Sequence, residues 1–172
     1  MTLRDGSRFQ IRPIRPEDHR ALQGMFRHLS PQSVYQRFFA ALPELTDELA
    51  WKLSHVNYTN RMALVAETEG DSPEIVGVAR YDRAEEPGVA ELGLAIVDEW
   101  QGRGLGRILI RELMKVAERN GITRFIADVL ADNRRMIHLL ATEMKIASVK
   151  SSGGVTTFKL RLSRSTEGAG VF

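Results

Sequence analysis

Residues 90–120, AELGLAIVDEWQGRGLGRILIRELMKVAERN, constrain the fold more than any other part of this chain. Leu92, Leu94, Ile96 and Val97 read as a mostly apolar strand that breaks at Asp98, Glu99 and Trp100. The glycine-rich run Gln101-Gly102-Arg103-Gly104-Leu105-Gly106 follows. From Leu105 onward, Ile108, Leu109, Leu113, Val116 and Ala117 recur at helical spacing with one apolar stripe, and Asn120-Gly121 is a helix stop. The order is therefore strand, glycine loop, helix.

That order has a chemical meaning. The first turn of a helix leaves backbone N–H groups unpaired at the positive end of the helix dipole, a ready anion site. Glycines at 102, 104 and 106 remove side chains that would hold a phosphate away, and Arg103 and Arg107 add charge. The expected guest is a diphosphate. Taken alone, the same glycines also suit a tight strand-to-helix turn with no ligand, so the loop by itself leaves both readings open.

The rest of the chain supplies helices and strands on either side. Residues 8–14 alternate as an edge strand ended by prolines; Pro16 opens a helix with Glu17 and Asp18 in its first turn and Leu22, Met25, Phe26 and Leu29 inward. Ser30-Pro31 caps a second helix carrying Val34, Phe38, Ala41 and Leu42, and Thr46 caps a third with Leu49, Trp51 and Leu53. Residues 61–67, 74–82 and 89–97 read as an antiparallel meander. After the central helix, residues 123–130 form a buried strand parallel to the one before the glycine loop, and Asp132 or Asn133 caps a last helix. Residues 146–149 and 155–162 make a hairpin around Ser151-Ser152-Gly153-Gly154. One α+β domain over residues 1–163 is expected, with residues 164–172 as a loose tail.

Bulk properties narrow the partners. A net charge of +2 from 24 basic and 22 acidic residues gives no basic patch, so no nucleic acid is expected. Without cysteine there is no disulfide, thiolate metal site or cysteine nucleophile, which suits a cytoplasmic protein. The four histidines show no ligand spacing, so no metal is expected. No stretch is long and apolar enough for a signal core or a membrane span.

The loop Gln101-Gly102-Arg103-Gly104-Leu105-Gly106, with the strand before it and the helix after it, resembles the Q/R-x-x-G-x-G/A signature of the GNAT superfamily of N-acetyltransferases. The resemblance implies a mixed, mostly antiparallel sheet with helices on both faces and a pair of parallel strands that splay apart, here residues 89–97 and 123–130. Acetyl-CoA would lie in that gap. Its pantetheine arm would follow the main chain of Leu94, Ala95 and Ile96, with the Ile96 N–H polarising the thioester carbonyl. Its diphosphate would sit on Gln101, Gly102, Arg103, Gly104, Leu105, Gly106 and Arg107, and Asn133 would meet the arm from the other side.

Within that superfamily the chain is most similar to the bacterial Pat-type protein lysine acetyltransferases, through Ile11-Arg12-Pro13-Ile14-Arg15-Pro16-Glu17-Asp18, Ser30-Pro31, Arg37-Phe38-Phe39, Ala90-Glu91 and Asn133-Arg134-Arg135-Met136. In those enzymes a glutamate ten residues before the loop is the general base, which assigns that role to Glu91; pattern alone reads Glu91 as a solvated strand-end carboxylate. Partial burial among Val89, Ala90 and Leu92 is expected to raise its pKa. The implied acceptor is the active-site lysine of an acyl-CoA synthetase. The chain has no room for the nucleotide-binding domain many Pat-type enzymes carry, so no control by cyclic nucleotide within it is expected. It departs from the pattern at Met144-Lys145, where a Gly-Phe pair is usual. It departs also at Leu140, where many superfamily members place a tyrosine acid.

Three other readings compete. Asp128 follows Gly106 at about the interval at which a Rossmann-type dinucleotide site places its ribose acid, although Asp98–Gln101 intervene between strand and loop. A non-catalytic acyl-CoA sensor would keep the loop without needing Glu91. A small-molecule amine N-acetyltransferase would share the machinery. His138 and His55 read as structural and surface residues.

Overall fold

The computed structural model describes residues 1–162; the expected tail at 164–172 lies outside them. Seven strands form one sheet: β1 Phe9–Pro13, β2 Arg61–Thr68, β3 Ile75–Arg83, β4 Val89–Ile96, β5 Arg124–Leu130, β6 Met144–Ser152 and β7 Val155–Leu162. Their order is β1-β2-β3-β4-β5-β7-β6, antiparallel everywhere except between β4 and β5. The helices are α1 His19–Arg27, α2 Pro31–Phe38, α3 Asp47–Ser54, α4 Leu105–Arg119 and α5 Arg134–Glu143. The fold is the expected α+β arrangement, a mixed sheet with one parallel pair and helices on both faces.

Local chemistry starts and stops these elements where the sequence allows it. The Ser30, Thr46 and Asn133 side chains each accept a hydrogen bond from the backbone N–H three residues on, at 3.2 Å, and so cap α2, α3 and α5. Asn133, not Asp132, is the last cap. The second helix ends at Phe38, short of the expected Ala41 and Leu42, because Phe39 adopts a left-handed conformation (φ 54°) and its N–H closes on the Tyr35 carbonyl. Pro16–Asp18 form one 3-10 turn before α1. Asp18 there accepts hydrogen bonds from Arg12 (2.8 and 2.9 Å) and from the Arg15 N–H (2.7 Å), while Arg12 also holds Glu67 at 2.7 Å.

The apolar stripe of α4 packs Leu105, Leu109, Ile110 and Leu113 into the core at no more than 1% exposure, on one face of the sheet. The opposite face carries α1 to α3 through Leu22, Met25, Phe26 and Val34. The one fully buried phenol, Tyr81, donates to the Thr59 carbonyl and accepts from Asn120, so its burial leaves no unpaired polar atom. Trp51, one of the apolar residues of α3, is exposed and stacks on His55 with ring centroids 4.0 Å apart. At Met144-Lys145 the chain passes from α5 straight into β6, which is longer than the 146–149 segment expected.

Candidate active site

β4 and β5 begin as neighbours and then separate. They pair only at Val89↔Arg124, Ala90↔Phe125 and Glu91↔Ile126. Beyond that point β5 continues against β7 while β4 stays with β3. A cleft of about 1330 Å³ opens from this point, lined by residues 91–96 on one side and by Ile126, Asp128 and Val129 on the other.

The ladder register fixes which main-chain groups face the gap. In an antiparallel pair, hydrogen-bonded positions alternate. Val97 donates to the Val76 carbonyl at 3.0 Å and Ala84 donates to the Val89 carbonyl at 2.9 Å, so the odd-numbered residues of β4 pair with β3. Leu92, Leu94 and Ile96 therefore turn their N–H and C=O groups toward the gap. Ala95, expected to share that role, directs its main chain to Val78 of β3 and reaches the cleft only with its side chain.

Where β4 ends, the 3-10 turn Asp98–Trp100 leads into the glycine loop. Gly102 (φ 71°) and Gly104 (φ 94°) both occupy the left-handed region, and a Cβ on either would meet no protein atom within 4 Å. They give the loop its shape and leave its concave side bare. Ile108 is the first N–H of α4 to reach a carbonyl, that of Gly104 at 3.3 Å; none of the N–H groups from Gly102 to Arg107 donates to a backbone carbonyl among the described residues. Gly106 works differently from the expectation. A Cβ there would lie 3.1 Å from Ile96, 3.2 Å from Leu139 and 3.4 Å from Leu94, so this glycine lets α4 lie against β4 and α5 while it lines the cleft.

The loop's side chains are engaged within the protein. Gln101 donates to the Ile96 carbonyl (2.9 Å) and to Ser33 (3.0 Å) and accepts from Arg135 (3.1 Å), which makes it a strut between loop, β4 and α2. Asp98 accepts from the Ser30 N–H at 3.0 Å; burial opposes its charge, but the hydrogen bonds from Ser30 and Ser33 outweigh that and hold its pKa below the usual carboxylate range. The Arg103 guanidinium bonds Asp5 (2.5 Å) and Ser7 and lies 4.6 Å from the Trp100 ring. Arg107 bonds Glu143 at 2.8 Å, beside Arg111 at 2.6 Å. Both cations expected at the phosphate thus meet carboxylates in this structure. Leu105 is buried in the core. Asn133 lines the cleft, with its carbonyl oxygen spent on the α5 cap.

The two faces of β4 divide the remaining work. Leu94 and Ile96 point to α4, whereas Glu91, Gly93 and Ala95 point toward α1 and α2. Glu91 lines the cleft but is exposed, contrary to the expected partial burial, because Ala90 and Leu92 take the core-facing positions beside it. Sequence reasoning missed Arg37. It reaches from α2 over Gly93, where its Nη2 would be 3.0 Å from a Cβ, next to the buried Arg80. Its one signal in the sequence is its place in Arg37-Phe38-Phe39.

A family model described as the acetyltransferase (GNAT) family matches residues 22–144, which contain the cleft, the loop and both splayed strands. The chain belongs to the GNAT acetyltransferase family. An acetyltransferase of Pseudomonas aeruginosa is 36% identical over 137 residues, covering 78% of this chain and 73% of the relative. The acetyltransferase Pat of Mycolicibacterium smegmatis is 34% identical over 136 residues, covering 78% of this chain but 40% of the relative. Among solved structures, the GNAT domain of S. lividans PAT superposes with a TM-score of 0.83 at 31% identity, over 94% of this chain and 95% of that one.

Membership of the GNAT family removes the Rossmann reading, and the sheet order agrees. Asp128 is explained locally: it accepts a 2.5 Å hydrogen bond from Thr157 across β5 and β7. Leu140, at the position where many GNAT enzymes carry a tyrosine, is fully buried, so no side chain acts as an acid from there. His138 lines the cleft.

Proposed function

We propose that this GNAT acetyltransferase moves an acetyl group from acetyl-CoA to an amine, with a protein lysine as acceptor. The observation that carries the reading is the parting of β4 and β5 after Glu91, beside a loop whose N–H groups lack backbone partners. The residues present fit the co-substrate: the cradle at Gly102 and Gly104 has space that a side chain would fill, and main-chain donors at Leu94 and Ile96 line the gap. Bound there, acetyl-CoA supplies an activated acyl carbon.

The protein's own groups supply the rest. The N–H of Ile96 polarises the thioester carbonyl as a fixed dipole that needs no reorganisation. A lysine with pKa near 10.4 costs about 4 to 5 kcal/mol to deprotonate at pH 7, so a base is required. Glu91 takes that proton, directly or through one water, as the nitrogen attacks. It faces the α2 side of β4, so the acceptor enters there, and desolvation of the carboxylate comes from the acceptor once seated. Leu140 leaves the departing thiolate without a tyrosine acid.

The lysine acceptor is supported by likeness to the GNAT domain of S. lividans PAT across 94% of the chain. An acyl-CoA synthetase is the proposed target, and the cytoplasm the proposed location. Incubating the protein with acetyl-CoA, purified acyl-CoA synthetases and a panel of small amines, read by mass spectrometry, tests this. Acetylated lysine on a synthetase is expected. Product only from small amines makes it a small-molecule enzyme, and coenzyme binding with no product in any mixture makes it a sensor.

A further inference from the structure

Most partly buried arginines here have a counter-ion: Arg12 meets Asp18 and Glu67, Arg61 and Arg80 meet Asp82, and Arg103 meets Asp5. Arg37 is different. Among the described residues its guanidinium makes no hydrogen bond or ion pair; it lies 5.1 Å from the Phe38 ring and against Gly93 and Arg80. It lines both the large cleft and a small apolar cavity of about 50 Å³ behind Ala95 and Phe38. Burial, and then the charge of Arg80, lower its pKa to about 10 against a smaller opposing attraction from Asp82, so it remains cationic at neutral pH. Asp82 is already shared by Arg61 and Arg80, so Arg37 is a charge withdrawn from water with no ion pair or hydrogen bond of its own; such a charge opposes folding, and such groups collect at sites of function.

Its position says what the partner is. Gly93 lies two residues from Glu91 on the same face of β4, about 7 Å along the strand. A guanidinium is a planar fork that matches a carboxylate. We propose, on the reading that the acceptor enters beside Glu91, that Arg37 binds a carboxylate which a substrate brings to the reacting end of the cleft. The carboxylate can come with the acceptor, as an acidic residue next to the lysine, or with the donor, as the far end of a dicarboxylic acyl group. The shared face of Glu91 and Arg37 favours the acceptor.

The test compares wild type, Arg37→Gln and Arg37→Lys on short peptides in which one lysine is followed by Glu, Gln or Lys, with acetyl-CoA. A second arm offers succinyl-CoA against acetyl-CoA with the Gln peptide. Wild type is expected to favour the Glu peptide at least tenfold in kcat/KM, through KM. Arg37→Gln should lose that preference, Arg37→Lys should recover part of it, and Arg37→Gln should melt no lower than wild type because it removes a charge with no ion pair of its own. A preference seen only for succinyl-CoA, and lost in Arg37→Gln, assigns the carboxylate to the donor. The proposal is overturned if neither arm depends on Arg37, or if Arg37→Gln lowers turnover on every substrate together with the melting temperature. Failure of the underlying reading looks different: wild type binds acetyl-CoA and acetylates nothing, and the proposal then falls with it.

Discussion

Gly104→Ala separates what a glycine does for the fold from what it does for a ligand. The residue sits at φ 94° with open space where a Cβ would be, at the mouth of the cleft. An L side chain held in the left-handed region costs about 1–2 kcal/mol. In a chain of this size each kcal/mol lowers the melting temperature by about 2–4 °C, so a fall of about 2–8 °C is expected. The new methyl also projects from the loop that offers the main-chain donors. Displacing a diphosphate from one charge-assisted hydrogen bond removes about 1.5–3 kcal/mol, or roughly 10- to 150-fold in affinity for acetyl-CoA. Gly153→Ala, in the β6–β7 turn at φ 59°, is the control: a similar backbone penalty at a residue outside the cleft lining. Calorimetry with acetyl-CoA and thermal melts on all three proteins give both quantities. If both variants lose comparable stability and Gly104→Ala still binds like wild type, the loop is a turn and the phosphate argument is wrong.

Two further predictions rest on other parts of the structure. Glu91→Gln, at an exposed position, should leave stability within about 0.5 kcal/mol and acetyl-CoA affinity unchanged while lowering turnover at neutral pH about 100- to 10,000-fold; steady-state kinetics showing unchanged turnover remove Glu91 from the mechanism. Arg12→Gln leaves Asp18 and Glu67 largely buried without their cation and should cost about 3–5 kcal/mol in urea unfolding, with a loss under 1 kcal/mol contradicting this. The pH dependence follows from the same pair. Burial opposes their charge, but hydrogen bonds from Arg12 outweigh it and hold both carboxylates below their usual range, so their contribution is full above about pH 5 and disappears as pH falls through their lowered values. The wild-type melting temperature should therefore drop between pH 4 and 2 more steeply than that of Arg12→Gln.

What the sequence revealed and what it hid divide along the distance between partners. The α4 stripe, the caps at Ser30 and Thr46 and the strand before the glycine loop all depend on residues within a turn or two of each other, and each was legible. The partner of Arg103 lies 98 residues away at Asp5, and that of Arg107 is Glu143 at the end of another helix, so in sequence both arginines read as free to meet a phosphate. Gly106 carried the same letter as Gly102 and Gly104, yet only packing against Ile96 and Leu139 reveals its separate role. Resemblance named Leu94, Ala95 and Ile96 together, and only the register with β3 shows that the main chain of Leu94 and Ile96 faces the gap while that of Ala95 faces β3. Arg37 shows no anomaly in sequence; its lack of a counter-ion appears when the surrounding chains are in place.

The central claim is that the main chain at Leu94, Ile96 and residues 102–107 holds acetyl-CoA, and amide hydrogen exchange read residue by residue by NMR tests it most directly. Saturating acetyl-CoA should slow exchange at those amides while the β6–β7 turn is unaffected. Protection confined to another surface, with the Gly102–Arg107 amides exchanging as before, would contradict it.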